Sequence, residues 1–123
     1  MKYLPLIAIL RGITTNKVLD IADILIDNGF NIIEVPLNSP NPLKSIQLLV
    51  NKYTDKALIG AGTVLNVKEV KDVFDTGAKL IVSPNTNEDV IKETKKFKMV
   101  KSKKNPYNGF GVFWLKKSGN SKE

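Results

Sequence analysis

The chain contains no cysteine and no histidine. Without cysteine there is no disulfide, no thiol nucleophile and no thiolate metal site. Without histidine, Ser–His hydrolysis, imidazole general-base catalysis and nearly all transition-metal sites are excluded. No apolar run approaches the length of a membrane span. The run from Leu4 to Leu10 contains Pro5, is closed by Arg11 and is followed by no small-residue cleavage site, so it does not read as a secretory leader. The expected location is the cytoplasm. Chemistry is left to carboxylates, Lys, Arg, hydroxyls and the backbone.

What is present fits one soluble domain: 123 residues, 42% of them apolar. The net charge of +7 is unevenly spread. Residues 1–91 hold nine Lys/Arg and ten Asp/Glu, whereas 92–123 hold ten Lys and two Glu. The basicity therefore belongs to the end of the chain and not to the domain.

In order, Leu4–Leu10 reads as a short buried strand. Thr14 or Thr15 caps a helix whose face is Val18, Ala22, Leu25 and Gly29, with Leu19 and Ile26 beside it. Ile32–Val35 is the central strand, rich in β-branched residues and carrying a single carboxylate, Glu34. Ser39-Pro40 has the cap-then-Pro order that opens a helix, and Leu43, Ile46, Leu49 and Val50 supply its stripe. Ala57–Val64 is a third strand. Asn66 with Glu69 resembles a capping box, for a helix with the face Val67, Val70 and Phe74, ended by Gly77. Lys79–Val82 is a fourth strand, and a fourth helix starts at Thr86 or Asn87.

Ile9, Ile33, Ile59 and Ile81 mark equivalent strand positions at spacings of 24, 26 and 22 residues. Such a period predicts parallel βα units. Either an open doubly wound sheet or part of a (β/α)8 barrel fits. Gly60-Ala61-Gly62 lacks the third glycine and the lysine of a phosphate-binding loop. Beyond Phe97 the Lys-rich stretch, with Tyr107, Phe110, Phe113 and Trp114, shows no helical or strand period.

In a parallel array the residues just after each apolar run gather at one end. Here they are Arg11, Glu34 with Asn38, Thr63, and Pro84-Asn85. Each has an ordinary alternative: a loop ion pair for Arg11, a strand-end salt bridge for Glu34, a turn hydroxyl for Thr63. A carboxylate at the end of a buried strand is nonetheless costly unless it is solvated, paired or used.

Four stretches, Leu6–Thr14, Ile33–Pro40, Lys56–Leu65 and Leu80–Asn85, resemble the 2-dehydro-3-deoxy-6-phosphogalactonate and -gluconate aldolase family over about residues 4 to 97. Asn38 favours the galactonate branch, because the gluconate branch usually has Arg there. The resemblance implies a (β/α)8 barrel, usually a homotrimer, that cleaves a phosphorylated keto-deoxy sugar acid to pyruvate and glyceraldehyde 3-phosphate through a lysine Schiff base. The resemblance implies that no metal or cofactor takes part. By the same resemblance Glu34 is the catalytic proton carrier, and Arg11 and Thr63 bind the substrate anion and keto-acid oxygens. In the family the Schiff-base Lys lies on a sixth strand, and nothing after Phe97 matches its context.

The expectation is thus an α/β fold of about four βα units, a partial (β/α)8 barrel, over residues 1–97. An unrelated, disordered, basic tail over 98–123 would follow. Such a chain reads as the first half of the enzyme, cut short by a frameshift or early stop and inactive alone. Strands 1 and 4 would each lack a neighbour. A non-catalytic half-barrel, a gluconate aldolase and nucleic-acid binding through the tail are the alternatives; a solvated tail outweighs the last.

Overall fold

The computed structural model describes residues 6–83 and 87–96, and the backbone of 111–113. Four βα units follow one another: β1 (Ala8–Ile9), α1 (Thr15–Asp27), β2 (Ile32–Pro36), α2 (Pro42–Tyr53), β3 (Leu58–Gly62), α3 (Val67–Asp75), β4 (Leu80–Ser83) and α4 (Glu88–Lys96). A short β5 (Gly111–Phe113) follows. The strand expected over Leu4–Leu10 is paired only at Ala8–Ile9, and Leu4–Pro5 lie outside the described residues.

The sheet order is β1-β2-β3-β4-β5, and the first four strands are parallel neighbours. Each strand is laid down beside its predecessor, so no switch point of a doubly wound sheet occurs. With right-handed crossovers this order puts all the helices on one face, as in a barrel wall. The register pairs Ile9 with Glu34, Glu34 with Gly60 and Pro36 with Gly62. Arg11, Glu34 and Thr63 therefore lie toward one end of the sheet.

β2 and β3 are buried at all five positions. Burial of a Val or Ile side chain is worth about 1.5–3 kcal/mol. Ile32, Ile33 and Val35 of β2, Ile46 and Leu49 of α2, and Leu80 and Ile81 of β4 are fully enclosed, so the core lies along β2–β4 and the helices packed on them.

Several local expectations are corrected. The cap-then-Pro pair of α2 is Asn41-Pro42, not Ser39-Pro40. Ser39 instead accepts a hydrogen bond from the Gly12 amide. The buried face of α3 is Val70 and Val73, while Val67 and Phe74 are exposed at its flanks. The Asn66 side chain caps α3 by accepting from Glu69 N, but Glu69 Oε1 accepts from Leu65 N and not from the cap residue. β4 has a second neighbour: β5 pairs with it antiparallel, Val82 opposite Val112, so the expectation of an unpaired fourth strand does not hold.

Candidate functional site

The carboxyl ends of β1 and β2 are laced together. The turn after β1 takes Gly12 to a left-handed φ of +79°. There its amide donates to the buried Ser39 Oγ at 3.0 Å. Arg11 Nη1 donates to Asn38 Oδ1 at 3.0 Å, across 27 residues of sequence. Leu10 N donates to Glu34 O at 3.0 Å. Thr15 and Ser45 hydroxyls, 2.9 Å apart, continue the seam between α1 and α2. The guanidinium of Arg11 is exposed yet held by Asn38 near the end of β2.

Glu34 is 3% exposed. Its carboxyl group lies against Gly62 on β3. Desolvation raises its pKa to about 7, and the positive charge of Arg11 opposes part of that rise. Among the described residues, Glu34 Oε2 has no hydrogen-bond partner. A buried oxygen of this kind is costly unless a ligand or a proton occupies it. A carboxyl group poised near neutrality can both take and give a proton.

Thr63 follows β3 and is half-buried. Its φ is +56°, in the left-handed region that a β-branched residue rarely enters. Such a conformation costs on the order of 1–3 kcal/mol and is characteristic of functional sites. Of the residues expected to converge, the structure brings Arg11, Glu34, Asn38 and Thr63 to the same end of β1–β3. Pro84-Asn85 lie outside the described residues. Among the described residues no group of three or more acidic side chains gathers as metal ligands. No described helix is long and apolar enough to cross a membrane.

Sequence reasoning missed Ser39 and Gly62. In the sequence Ser39-Pro40 reads as a helix opening, which hides the role of Ser39 as acceptor for the Gly12 amide. Gly62 reads in the sequence only as part of an incomplete phosphate-loop pattern; its useful signal is two glycines alternating on the strand that follows the one carrying Glu34.

The comparisons with known proteins agree with one another. The family model described as "Aldolase: KDPG and KHG aldolase" matches residues 1–103. The 2-dehydro-3-deoxy-6-phosphogalactonate aldolase of Escherichia coli is 52% identical over 89 residues, covering 72% of this chain and 43% of that protein. A solved structure described as native KDPGal superposes with a TM-score of 0.79 at 47% identity, over 81% of this chain and 48% of that one. The KDPG aldolase of Legionella pneumophila, solved with pyruvate captured as a covalent carbinolamine intermediate, gives a TM-score of 0.69 at 32% identity, over 75% and 44% of the two chains. The chain thus spans less than half the length of each of these three relatives.

Proposed function

The chain belongs to the KDPG and KHG aldolase family, and from that premise we propose that it carries the proton-handling and anion-binding side of a 2-dehydro-3-deoxy-6-phosphogalactonate aldolase site. The observation that carries the reading is Glu34: a buried carboxyl with an unpartnered oxygen, titrating near neutrality beside Arg11. The 52% identity to a galactonate-branch relative supports that substrate over the gluconate one.

In this reading a lysine amine adds to the substrate ketone and loses water to form an iminium, which accepts the electron pair when the C–C bond breaks. Glu34 gives the proton that lets hydroxide leave as water, and takes protons in the reverse steps. Arg11, held by Asn38, binds a substrate anion through its planar fork. Thr63 offers a hydroxyl to the keto-acid oxygens. Pyruvate and glyceraldehyde 3-phosphate are the products, and a homotrimer is the assembly.

Among the described residues no lysine acts on Glu34, and the lysines beyond Phe97 do not stand in the family's Schiff-base context. The 123-residue chain by itself should therefore form no iminium. Proton transfer alone contributes only about 10²–10⁴-fold. The test is borohydride trapping with pyruvate, read by mass spectrometry, together with an assay of sugar-acid cleavage. Two proteins are compared: this chain, and this chain joined to the carboxyl-terminal half of the Escherichia coli relative. We expect no adduct on the first. On the second we expect one adduct and cleavage, with Glu34→Gln lowering kcat by about 10²–10⁴-fold. A stoichiometric adduct on any lysine of the chain alone, or full activity of the joined Glu34→Gln protein, would overturn the reading.

A further inference from the structure

We propose that Gly62 is a positioning residue for Glu34: the absence of a side chain there makes the bed in which the Glu34 carboxyl group rests. The register places Glu34 opposite Gly60 and Pro36 opposite Gly62. Paired positions of parallel strands, and positions two apart, share a face of the sheet. Glu34, Gly60 and Gly62 therefore lie on one face, and β3 presents no side chain there after Leu58.

The two glycines serve different ends. Neither is among the glycines of positive φ, which among the described residues are Gly12, Gly29 and Gly77. Backbone freedom is thus not the reason for them, and sterics is. A Cβ at Gly60 would collide with the backbone and Cβ of Leu80, where β3 and β4 approach closely. A Cβ at Gly62 would meet only the end of Glu34: both carboxyl oxygens, and Cδ at 2.5 Å. The first clash is against a strand backbone that cannot move. The second is against the tip of a flexible side chain, which can swing away. A methyl group at position 62 therefore leaves the sheet intact and drives Glu34 out of its dry site, toward water and Arg11.

This deepens the reading of Glu34 as the proton carrier and rests on it only for the consequence to catalysis; the placement itself is tested without substrate. The 123-residue chain is prepared as wild type, Gly62→Ala, Glu34→Ala and the double variant. The Glu34 carboxyl is followed by carbon-13 NMR titration, and unfolding is measured for all four. In wild type the midpoint of Glu34 should be raised by burial to about 7. In Gly62→Ala its midpoint should fall by at least one unit toward that of an ordinary Glu. The unfolding effect of Gly62→Ala should largely vanish in the Glu34→Ala background, where nothing occupies the bed. If Gly62→Ala fails to fold and the double variant folds, the steric pairing is upheld by that alone. A Glu34 midpoint unchanged by Gly62→Ala, or an equal effect of Gly62→Ala in both backgrounds, or failure of both to fold, would overturn the proposal. In the joined enzyme described above, Gly62→Ala should lower kcat about 10²-fold with KM little changed. If the NMR result holds and activity does not fall, the placement stands and the catalytic role of Glu34 fails.

Discussion

Glu34 makes stability depend on pH in the direction opposite to a salt-bridged carboxylate. Its folded pKa, about 7, lies above the ordinary 4.5. Between those values the folded chain holds a proton that the unfolded chain has released, so stability falls as pH rises. The shift corresponds to about 3 kcal/mol, present below pH 4.5 and lost by pH 7–8. We expect the unfolding free energy of the wild type to drop by up to that amount from pH 4 to pH 8, once other carboxylates are accounted for. The drop should be missing in Glu34→Gln, which has no proton to lose. Urea unfolding of both proteins at the two pH values measures it; parallel profiles would contradict the burial argument. Asp23 behaves in the ordinary way: hydrogen bonds from Tyr53 and Lys52 lower its pKa. It sits at the outer seam of α1 and α2, where Tyr53 Oη donates to it and Lys52 Nζ stands 3.1 Å away. The contrast separates the two carboxylates by chemistry. One is stabilised in its charged form by partners, and the other is kept from charging by its surroundings.

At the scale of single elements, the two helices with similar sequence signals begin differently. Asn66 Oδ1 accepts from Glu69 N at 2.9 Å and caps α3. Thr14 stands at the N-cap of α1 but makes no capping bond, its hydroxyl donating instead to Asn16 Oδ1. Asn66→Ala should therefore cost about 1 kcal/mol, whereas Thr14→Ala should stay within about 0.5 kcal/mol. Chemical denaturation of the two variants decides it, and equal costs would show that the cap assignments are wrong. α4 is capped in turn by Asn87 Oδ1, which accepts from Asp89 N and Val90 N. Caps and periodicity in the sequence place three of the four helices α1–α4. α2 was displaced because Ser39 and Asn41 are both good cap residues, each followed by Pro. Asn41 stands at the N-cap without a side-chain capping bond, while Ser39 is engaged by the Gly12 amide, a partner 27 residues away.

Across the whole molecule the sheet has two unlike margins. β1 is two residues long and leaves Leu6 and Ile9 more than half exposed. On the other side, β4 is covered by β5, which runs antiparallel where a (β/α)8 barrel would carry a parallel strand. An antiparallel neighbour satisfies the backbone groups of an edge strand as well as a parallel one does. We expect the double substitution Gly111→Pro and Val112→Pro to remove β5 from the edge, because proline lacks the amide needed for pairing. Amide exchange over Ile81–Ser83 should then rise, with Ile32–Val35 unchanged. Unaltered protection over Ile81–Ser83 would mean that β5 contributes nothing to the sheet.

The repeated unit is legible along the chain. Apolar strands every 22 to 26 residues, helices of one apolar face, and polar groups directly after the strands specify parallel βα units and the end at which Arg11, Glu34 and Thr63 gather. Those signals are local, so they survive without coordinates. Folding alone distinguishes the open sheet from the barrel wall, because strand order is a relation between elements. It also decided that Glu34 is dry, that Asn38 holds Arg11, that Thr63 is left-handed and that a three-residue strand closes β4. Three residues are too few to show alternation. The Glu34 environment depends on a glycine 28 positions away, made adjacent only by the register of two strands. Pattern along a chain encodes what each residue prefers; the pairing of strands fixes what it meets.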